Sequence, residues 1–361
     1  MGNDFAPAKG RGSQVLLVEW QRYSQIVLPR SRSHRNSCFT LTEFLYILML
    51  REIFCKLAIA IKLSNVQTAV KAKVMGNEKR SNISHKTWTE VVKDYAGKDL
   101  GERKNWYGSV AEAYNRVRPR YPQTVIERAI QFAQLPPKAK ILELGCGPAI
   151  ATVPLAQLGF SLLSLEPNRE ASELAKLNCA EYPNVEIQNL AFEEWELKRD
   201  RFDAVLAATS WHWIDPAIAY VKSAAALKTQ GSLILLWNTP PQLDQETYQL
   251  VDEIYEVLAP SIPLYARHEG RANHQADFMK FSEMISDSGY FKNVNYESVI
   301  HQVNYSLDDY LLLLSTLSPY IALAAENRNN LFAKLREVLH KNHGDRLKLS
   351  FISAFHVAHK I

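Results

Sequence analysis

A glycine turn after a strand-like run carries the residues best placed to bind a ligand. The stretch ILELGCGPA (141–149) holds Gly145 and Gly147 directly after its apolar residues, and an apolar helical pattern resumes beyond them. Glycines in such a turn let the backbone approach a ligand closely. Glu143 precedes the turn, and Glu166 ends the next strand-like run, where its carboxylate can accept hydrogen bonds from both hydroxyls of a ribose.

The elements around this turn predict a parallel sheet. From Ala139 to Asn238 short apolar strands alternate with helical patterns, which indicates right-handed crossovers and a sheet covered on both faces. Helices dominate after Asn238, with two late strand-like runs at 294–306 and 347–360. The prediction is an α/β fold, a Rossmann-like, doubly wound and mostly parallel sheet with an antiparallel C-terminal strand, plus a helical cap.

Three segments are predicted along the chain. Residues 1–74 are an N-terminal extension that is disordered or not native, because they share no periodicity with the body and Met75 resembles an ordinary protein start. A transit peptide and a membrane-surface helix remain alternatives for this extension. Residues 75–135 form the helical cap, broken at VRPRYP, and residues 136–361 form the main domain with helical insertions after 238.

Charge and cysteine usage exclude several classes of function. Residues 1–74 hold 11 Lys and Arg against 4 Asp and Glu, whereas the rest holds 31 against 34, so the body lacks the basic face of a nucleic-acid-binding protein. The apolar run in the extension is interrupted by charges, so no stable membrane span is expected. Four cysteines without a CxxC pair favour free thiols, a cytoplasmic location and no metal site.

The turn differs from a dinucleotide-binding fingerprint in two ways. Ile150 stands where that fingerprint has its third small residue, and Glu143 would repel a pyrophosphate. The fourth predicted strand also runs into the aromatic stretch SWHWID (210–215). A ligand with a ribose, a positive charge and no phosphate reconciles these features, and S-adenosylmethionine is such a ligand. Aromatic rings favour its sulfonium when that group is desolvated.

The motifs ILELGCGPA, LEPN, FDAVLAATSWHWID and LKTQGSLILLW resemble, in this order, those of class I S-adenosylmethionine-dependent methyltransferases. The resemblance is strongest to the methyltransferase type 11 group and runs from about Trp88 to the C-terminus. It implies that Gly145 and Gly147 line the methionine moiety, that Glu143 lies near the ammonium group and that Glu166 binds the ribose.

Two positions depart from the pattern of the family. Ala149 replaces the last glycine of G-x-G-x-G, which is expected to be tolerated if its φ is negative. Ala191 or its neighbour Leu190 stands where the family often has an acid for the adenine amino group, so adenine would depend on backbone near Phe192. The predicted cofactor-binding residues are Glu143, Gly145, Gly147, Glu166, Pro167, Ala191, Phe192, Ser210 and Trp211.

Candidates for the acceptor side lie in SWHW and RPRYP. His212 is the candidate catalytic base, and Arg118, Tyr121 and Trp213 are the candidate substrate-binding residues. Arg120 could serve the same end as Arg118, and both could equally anchor the N-terminal segment. Four further histidines are expected to be solvated or packed rather than metal ligands: His340, His343, His356 and His359.

The predicted function is S-adenosylmethionine-dependent methylation of a small molecule. A carboxylate acceptor (O-methylation) is favoured because it needs no general base, and His212 is the only evident one. Two alternatives stay open: a nicotinamide-dependent oxidoreductase, and a non-catalytic module that binds S-adenosylmethionine. The sequence leaves the identity of the acceptor and the oligomeric state open.

Overall fold

The computed structural model describes Asp94 and residues 97–262 and 271–361, apart from the side chains of 271–273. All of these residues belong to one compact unit, residues 84–361. The predicted extension 1–74, with its interrupted apolar run, lies outside the described residues.

A seven-stranded sheet forms the centre, with its first five strands parallel in the order β3-β2-β1-β4-β5. Strands β1 and β4 are almost entirely buried, which agrees with their apolar runs, because helices cover both faces of a parallel sheet. These strands are β1 (Lys140–Leu144), β2 (Ser161–Leu165), β3 (Val185–Gln188), β4 (Phe202–Ala208) and β5 (Leu227–Asn238).

Two long strands complete the sheet on the other side of β5. Strand β7 pairs antiparallel with both β5 and β6 and thus lies between them. The predicted fold class is confirmed, including the antiparallel C-terminal strand. The two strands are β6 (Phe291–Ser306) and β7 (Arg346–Lys360).

Helices connect and flank the strands, and several begin at a polar residue whose side chain caps them. Asn168 and Asp244, for example, accept hydrogen bonds from the backbone N–H groups of Ala171 and Thr247. The helices are α1 (Leu100–Asn105), α2 (Ala111–Val117), α3 (Gln123–Ala133), α4 (Thr152–Gln157), α5 (Arg169–Asn178), α6 (Pro216–Ala226), α7 (Gln245–Leu258), α8 (Arg271–Asp287), α9 (Leu307–Ser315), α10 (Ser318–Ile321) and α11 (Ala325–His343).

Helix α3, which the sequence places in the helical cap, packs against the sheet. Helix α3 buries Val125, Ile126 and Ala129 in a core shared with β1 and β4, so it covers the sheet instead of capping the site. Its apolar residues recur at helical spacing and need this partner surface. The cap thus consists, within the described residues, of α1, α2 and the segment that follows α2.

A second core lies beyond the sheet, among the C-terminal helices α7, α9, α10 and α11 and the far ends of β6 and β7. The described helices include none that is both long enough and apolar enough to cross a bilayer. This second core supports α2 from the side opposite the sheet, through a contact between α2 and α9.

Candidate functional site

A large cavity opens at the carboxyl ends of the parallel strands, where such sheets bind ligands. Its volume is about 1280 Å³, counting the open space at its mouth. Segments from the cap form its opposite wall. Ten of the residues predicted from sequence line it: Arg118, Tyr121, Gly145, Gly147, Glu166, Pro167, Ala191, Phe192, Ser210 and Trp213.

The glycine turn after β1 needs both of its glycines. Gly145 has φ 66° and Gly147 has φ 56°, in the left-handed region that favours glycine. A Cβ on Gly145 would lie 2.8 Å from the Cβ of Ser210, whereas one on Gly147 would meet no atom within 4 Å. The turn is therefore packed against Ser210, which follows β4, at Gly145 and leaves open space for a ligand at Gly147.

Ala149 corrects an expectation about the same turn. Its φ is 69°, not negative, so its methyl group occupies the left-handed region where the family has glycine. For an L-residue that conformation costs about 1–2 kcal/mol. The buried position of Ala149 and its hydrogen bond from the backbone N–H to the Cys146 carbonyl (3.0 Å) hold the strained residue in place.

Glu166 connects the turn to β2. Its Oε2 accepts a hydrogen bond from the Gly147 N–H (2.7 Å), and its Oε1 accepts one from the Asn168 N–H (2.8 Å). Burial raises the pKa of this carboxyl to about 7, and the two backbone hydrogen bonds oppose that rise. Each oxygen keeps a further lone pair, so the group can still accept two hydroxyl hydrogens from the cavity.

Glu143 lies below the turn and does not line the cavity. Its Oε2 accepts hydrogen bonds from the hydroxyls of Thr152 (2.7 Å) and Ser164 (2.8 Å), while its buried Oε1 accepts none. Burial raises its pKa to about 7 against the effect of these two hydroxyls. A place near the ammonium of a ligand stays a prediction, because the structure shows Glu143 beneath the floor of the site.

The structure corrects the expectations for Trp211 and His212, neither of which lines the cavity. The Trp211 ring is 3% exposed and packs edge-on against Tyr220, with 5.1 Å between ring centroids. The His212 ring stacks on Trp237 with centroids 6.0 Å apart. Desolvation lowers the pKa of His212 to about 3, so the residue is neutral and a weak base. Residues Trp211 to Trp213 form a single 3₁₀ turn. Because of this turn, the side chains of Trp211 and His212 lie in the core and only that of Trp213 lines the cavity.

Glu193 is a cavity residue that the sequence reasoning missed. Its Oε1 accepts a hydrogen bond from Arg103 Nη1 (2.7 Å), and the same nitrogen also donates to the Trp213 carbonyl. Arg103 and Glu193 both line the cavity and are largely buried. The two consecutive acids after Phe192 are the signal in the sequence, but only the fold shows that Glu193 lines the cavity whereas Glu194 does not and pairs with Lys104.

Arg118 stands at the other end of the cavity and is held in one orientation. Its Nε donates to Thr316 Oγ1 (2.9 Å), its Nη2 donates to the Thr316 carbonyl (2.6 Å), and its guanidinium lies 4.4 Å from the Tyr114 ring centroid. No carboxylate of the described chain forms an ion pair with it. Arg120, the alternative, is exposed, donates to the Asn115 carbonyl (2.6 Å) and does not line the cavity.

Aromatic rings line the cavity around Arg118. Tyr107 packs edge-on against both Tyr114 and Trp213, with centroids 5.7 and 5.5 Å apart. The Tyr107 hydroxyl hydrogen-bonds to Ser318 Oγ (2.8 Å), and the Tyr121 hydroxyl to Thr209 Oγ1 (2.6 Å). Burial raises the pKa of Tyr121, so its hydroxyl stays protonated. These contacts leave ring surface, rather than hydroxyl groups, for most of this wall.

The remaining histidines agree with their predicted roles as packed or solvated residues. His356 is buried and accepts from Trp237 Nε1 (3.1 Å), while His359, on the other face of β7, contacts Ser232. His340 and His343 are exposed at the end of α11. Across the part of the chain that the structure describes, no group of three potential ligands is arranged to hold a metal ion.

Comparison with known proteins shows what the central part of the chain is similar to. Residues 114–276 match the family described as a methyltransferase domain, and this range contains the glycine turn, Glu166, Glu193 and SWHW. Residues 114–276 are therefore similar to a methyltransferase domain, which confirms the resemblance to class I S-adenosylmethionine-dependent methyltransferases drawn from the motifs. This result favours the methyltransferase over the oxidoreductase alternative.

The individual relatives either cover only part of this chain or share low sequence identity with it. Uncharacterised methyltransferases of Mycobacterium bovis and Mycobacterium tuberculosis are 35% identical over 133 residues, which is 37% of this chain. The chain spans about half the length (52%) of these curated relatives. A candidate methyltransferase of Dictyostelium discoideum is 23% identical over 241 residues, covering 65% of this chain and 85% of the relative.

One solved structure supports the fold. A candidate type II methyltransferase from Anaeromyxobacter dehalogenans superimposes with a TM-score of 0.50 at 18% identity. The superposition covers 67% of this chain and 97% of that one. At this identity the likeness concerns the architecture alone.

Proposed function

We propose that this protein transfers the methyl group of S-adenosylmethionine to an oxygen of a small-molecule carboxylate. The observation that carries the proposal is the composition of this cavity. It has buried acids and an open glycine turn at one end, and a guanidinium without a carboxylate partner at the other. A cationic donor and an anionic acceptor match these two ends.

At the end with the glycine turn, individual residues match the separate parts of S-adenosylmethionine. Gly147 leaves room for the methionine portion, and the spare lone pairs of Glu166 suit the two ribose hydroxyls. Beyond Glu166, toward β3, the apolar surface of Ala191 and Phe192 suits a flat base. Glu193 Oε2 accepts no hydrogen bond from the described residues, so we assign it to the amino group of adenine, in place of the acid missing at Ala191.

The chain's own residues position the reactants and exclude water. When bound, S-adenosylmethionine supplies an activated methyl group on a good leaving group. Tyr107 from the cap and Trp213 from the turn after β4 line the cavity, and alignment of two bound reactants supplies on the order of 7–11 kcal/mol toward the barrier. A carboxylate acceptor carries no proton on its reacting oxygen, so no general base is needed. This agrees with the placement of His212 outside the cavity.

The location of the protein remains a prediction as well. We infer a reducing compartment such as the cytoplasm, in support of which Cys146 and Cys179 are free thiols buried in the core.

Binding of S-adenosylhomocysteine, measured by calorimetry, tests the cofactor assignment. Glu166→Ala is expected to weaken binding at least tenfold, because charge-assisted hydrogen bonds contribute roughly 1.5–3 kcal/mol. The matched control is Glu186→Ala, which removes an exposed carboxylate from the neighbouring strand β3 and should leave the affinity unchanged. Circular dichroism verifies that both variants are folded. Unchanged affinity in Glu166→Ala removes the ribose assignment, and no binding by the unaltered chain removes the proposed function.

A further inference from the structure

We propose that the acceptor is an apolar, flat monocarboxylate, such as an aryl or unsaturated carboxylic acid, rather than a di- or tricarboxylate. This inference rests on the proposed function and adds the substrate class. It is carried by the charge count and the surface of the acceptor end of the cavity, the part lined by Tyr107, Tyr114, Arg118, Tyr121 and Trp213.

The charge count of the cavity leaves one cation for the acceptor. Three cationic side chains line the cavity, but Arg103 is paired with Glu193 (2.7 Å) and Lys104 with Glu194 (2.6 Å). Only Arg118, among the cavity residues that the structure describes, has no carboxylate partner. A second or third carboxylate on the acceptor would therefore lose its water without gaining a cation, which is costly in a partly buried site.

The donors near Arg118 also match one carboxylate. Thr316 engages the N–H of Nε and one N–H of Nη2, so both N–H groups of Nη1 and the second N–H of Nη2 remain to donate. The Tyr114 hydroxyl makes no hydrogen bond with the described residues, and the Tyr114 ring lies against the same guanidinium. The remaining N–H groups of this one guanidinium and one nearby phenol suit the two oxygens of a single carboxylate.

Other polar groups at this end are already engaged. Asn238 donates from Nδ2 to the Pro119 carbonyl (3.1 Å), and its Oδ1 accepts from Ser353 Oγ (2.5 Å). Thr239 Oγ1 accepts from the Ile352 N–H (2.9 Å). What remains toward the acceptor is mainly aromatic ring surface, which binds a flat apolar body and gives little to a hydroxylated or highly charged one.

The transfer balances with a carboxylate and requires no further reactant. A carboxylate oxygen forms a bond to the methyl carbon while the bond from that carbon to sulfur breaks, and the electron pair of that bond goes to sulfur. The negative carboxylate and the positive sulfonium become a neutral methyl ester and a neutral thioether. No proton is transferred, and Arg118 keeps its charge throughout.

The test compares acceptors with the full chain and S-adenosylmethionine labelled in its methyl group. Cinnamate and benzoate represent flat monocarboxylates, fumarate and citrate the polycarboxylates, and cinnamamide the uncharged analogue. We expect methyl ester from a monocarboxylate, at least tenfold lower kcat/KM for fumarate and citrate, and no product from cinnamamide. Faster methylation of fumarate or citrate overturns the inference while leaving the proposed function intact.

Arg118 variants separate recognition of the carboxylate from general damage. Arg118→Gln should lower kcat/KM for the monocarboxylate ten- to hundredfold, with an unchanged Kd for S-adenosylhomocysteine, and Arg118→Lys should restore part of the loss. Arg120→Gln, which removes an exposed guanidinium two residues away, is the matched control and should behave as the unaltered chain. Equal losses in Arg118→Gln and Arg120→Gln would contradict the inference. Bound S-adenosylhomocysteine with no methyl ester from any carboxylate refutes the carboxylate proposal as a whole.

Discussion

The two ends of the cavity differ both in charge and in where their residues come from. The cofactor end takes its groups from strand ends and the turns that follow them: Gly147 after β1, Glu166 after β2 and Glu193 after β3. The acceptor end takes Arg118 from the cap and holds it through Thr316, a residue 198 positions away in the chain.

This difference follows from how each end of the cavity is built. Strand ends of a parallel sheet meet at one edge whatever covers that edge, so the cofactor end follows from the sheet alone. The acceptor end depends on how α2 and α9 pack together. In the proposed function the acidic end takes the cationic donor and the Arg118 end takes the anionic acceptor, so that charge orders the two reactants.

The largest expected effect concerns the acid beneath the cofactor end. The pKa of Glu143 is raised from an ordinary value of 4.5 to about 7, so the folded protein binds this proton more tightly than the unfolded chain does. Its contribution to stability is therefore complete below about pH 4.5 and is lost as the pH rises through 7, by about 3 kcal/mol. Glu143→Gln should remove this loss.

Urea unfolding at pH 5 and pH 8, without ligand, measures this effect. The free energy of unfolding should fall more between the two pH values for the unaltered chain than for Glu143→Gln. An equal fall in both proteins would show that Glu143 titrates normally, and the contrast between an acidic and a cationic end would then rest on Glu166 and Glu193 alone.

A smaller effect on stability is expected at Ala149 in the glycine turn after β1. Ala149→Gly relieves the left-handed strain but loses a buried methyl group and gains chain entropy on unfolding. Ala151→Gly is the matched control, since Ala151 is equally buried but has φ −94°. We expect Ala149→Gly to be the more stable variant by about 1–2 kcal/mol in urea unfolding. Equal stabilities would mean that the turn is relaxed at Ala149.

The smallest expected effect is on ligand affinity and tests the assignment of Glu193 to the amino group of adenine. The unaltered chain should bind S-adenosylhomocysteine more tightly than its analogue with oxygen in place of the adenine amino group. Glu193→Gln should reduce this preference about fivefold, the value of one hydrogen bond of about 1 kcal/mol, because its amide can donate to that oxygen. Glu194→Gln, which lies outside the cavity, should keep the preference. If Glu193→Gln and Glu194→Gln lower the affinity for both ligands by the same factor, Glu193 acts only as the partner of Arg103.

Local patterns in the sequence predict the sheet, the turn and Glu166, because strand periodicity, glycine and an acid at a strand end act over a few residues. The same patterns could not place His212 and Trp211, whose 3₁₀ turn directs them into the core. They could not show the sign of φ at Ala149, which depends on packing, or that Arg118 rather than Arg120 faces the cavity. The sequence alone does not show that helix α3 covers the sheet, because its apolar stripe does not reveal which surface it packs against.

The bonds that close the acceptor end have a consequence for the order of folding during synthesis. Tyr107 and Arg118 are bonded to Ser318 and Thr316, across 211 and 198 residues. The cofactor end needs no residue beyond Ile214 for its wall, apart from the rest of the sheet. A growing chain can therefore form the wall of the cofactor end early, whereas the acceptor end is completed only after about nine-tenths of the protein has left the ribosome.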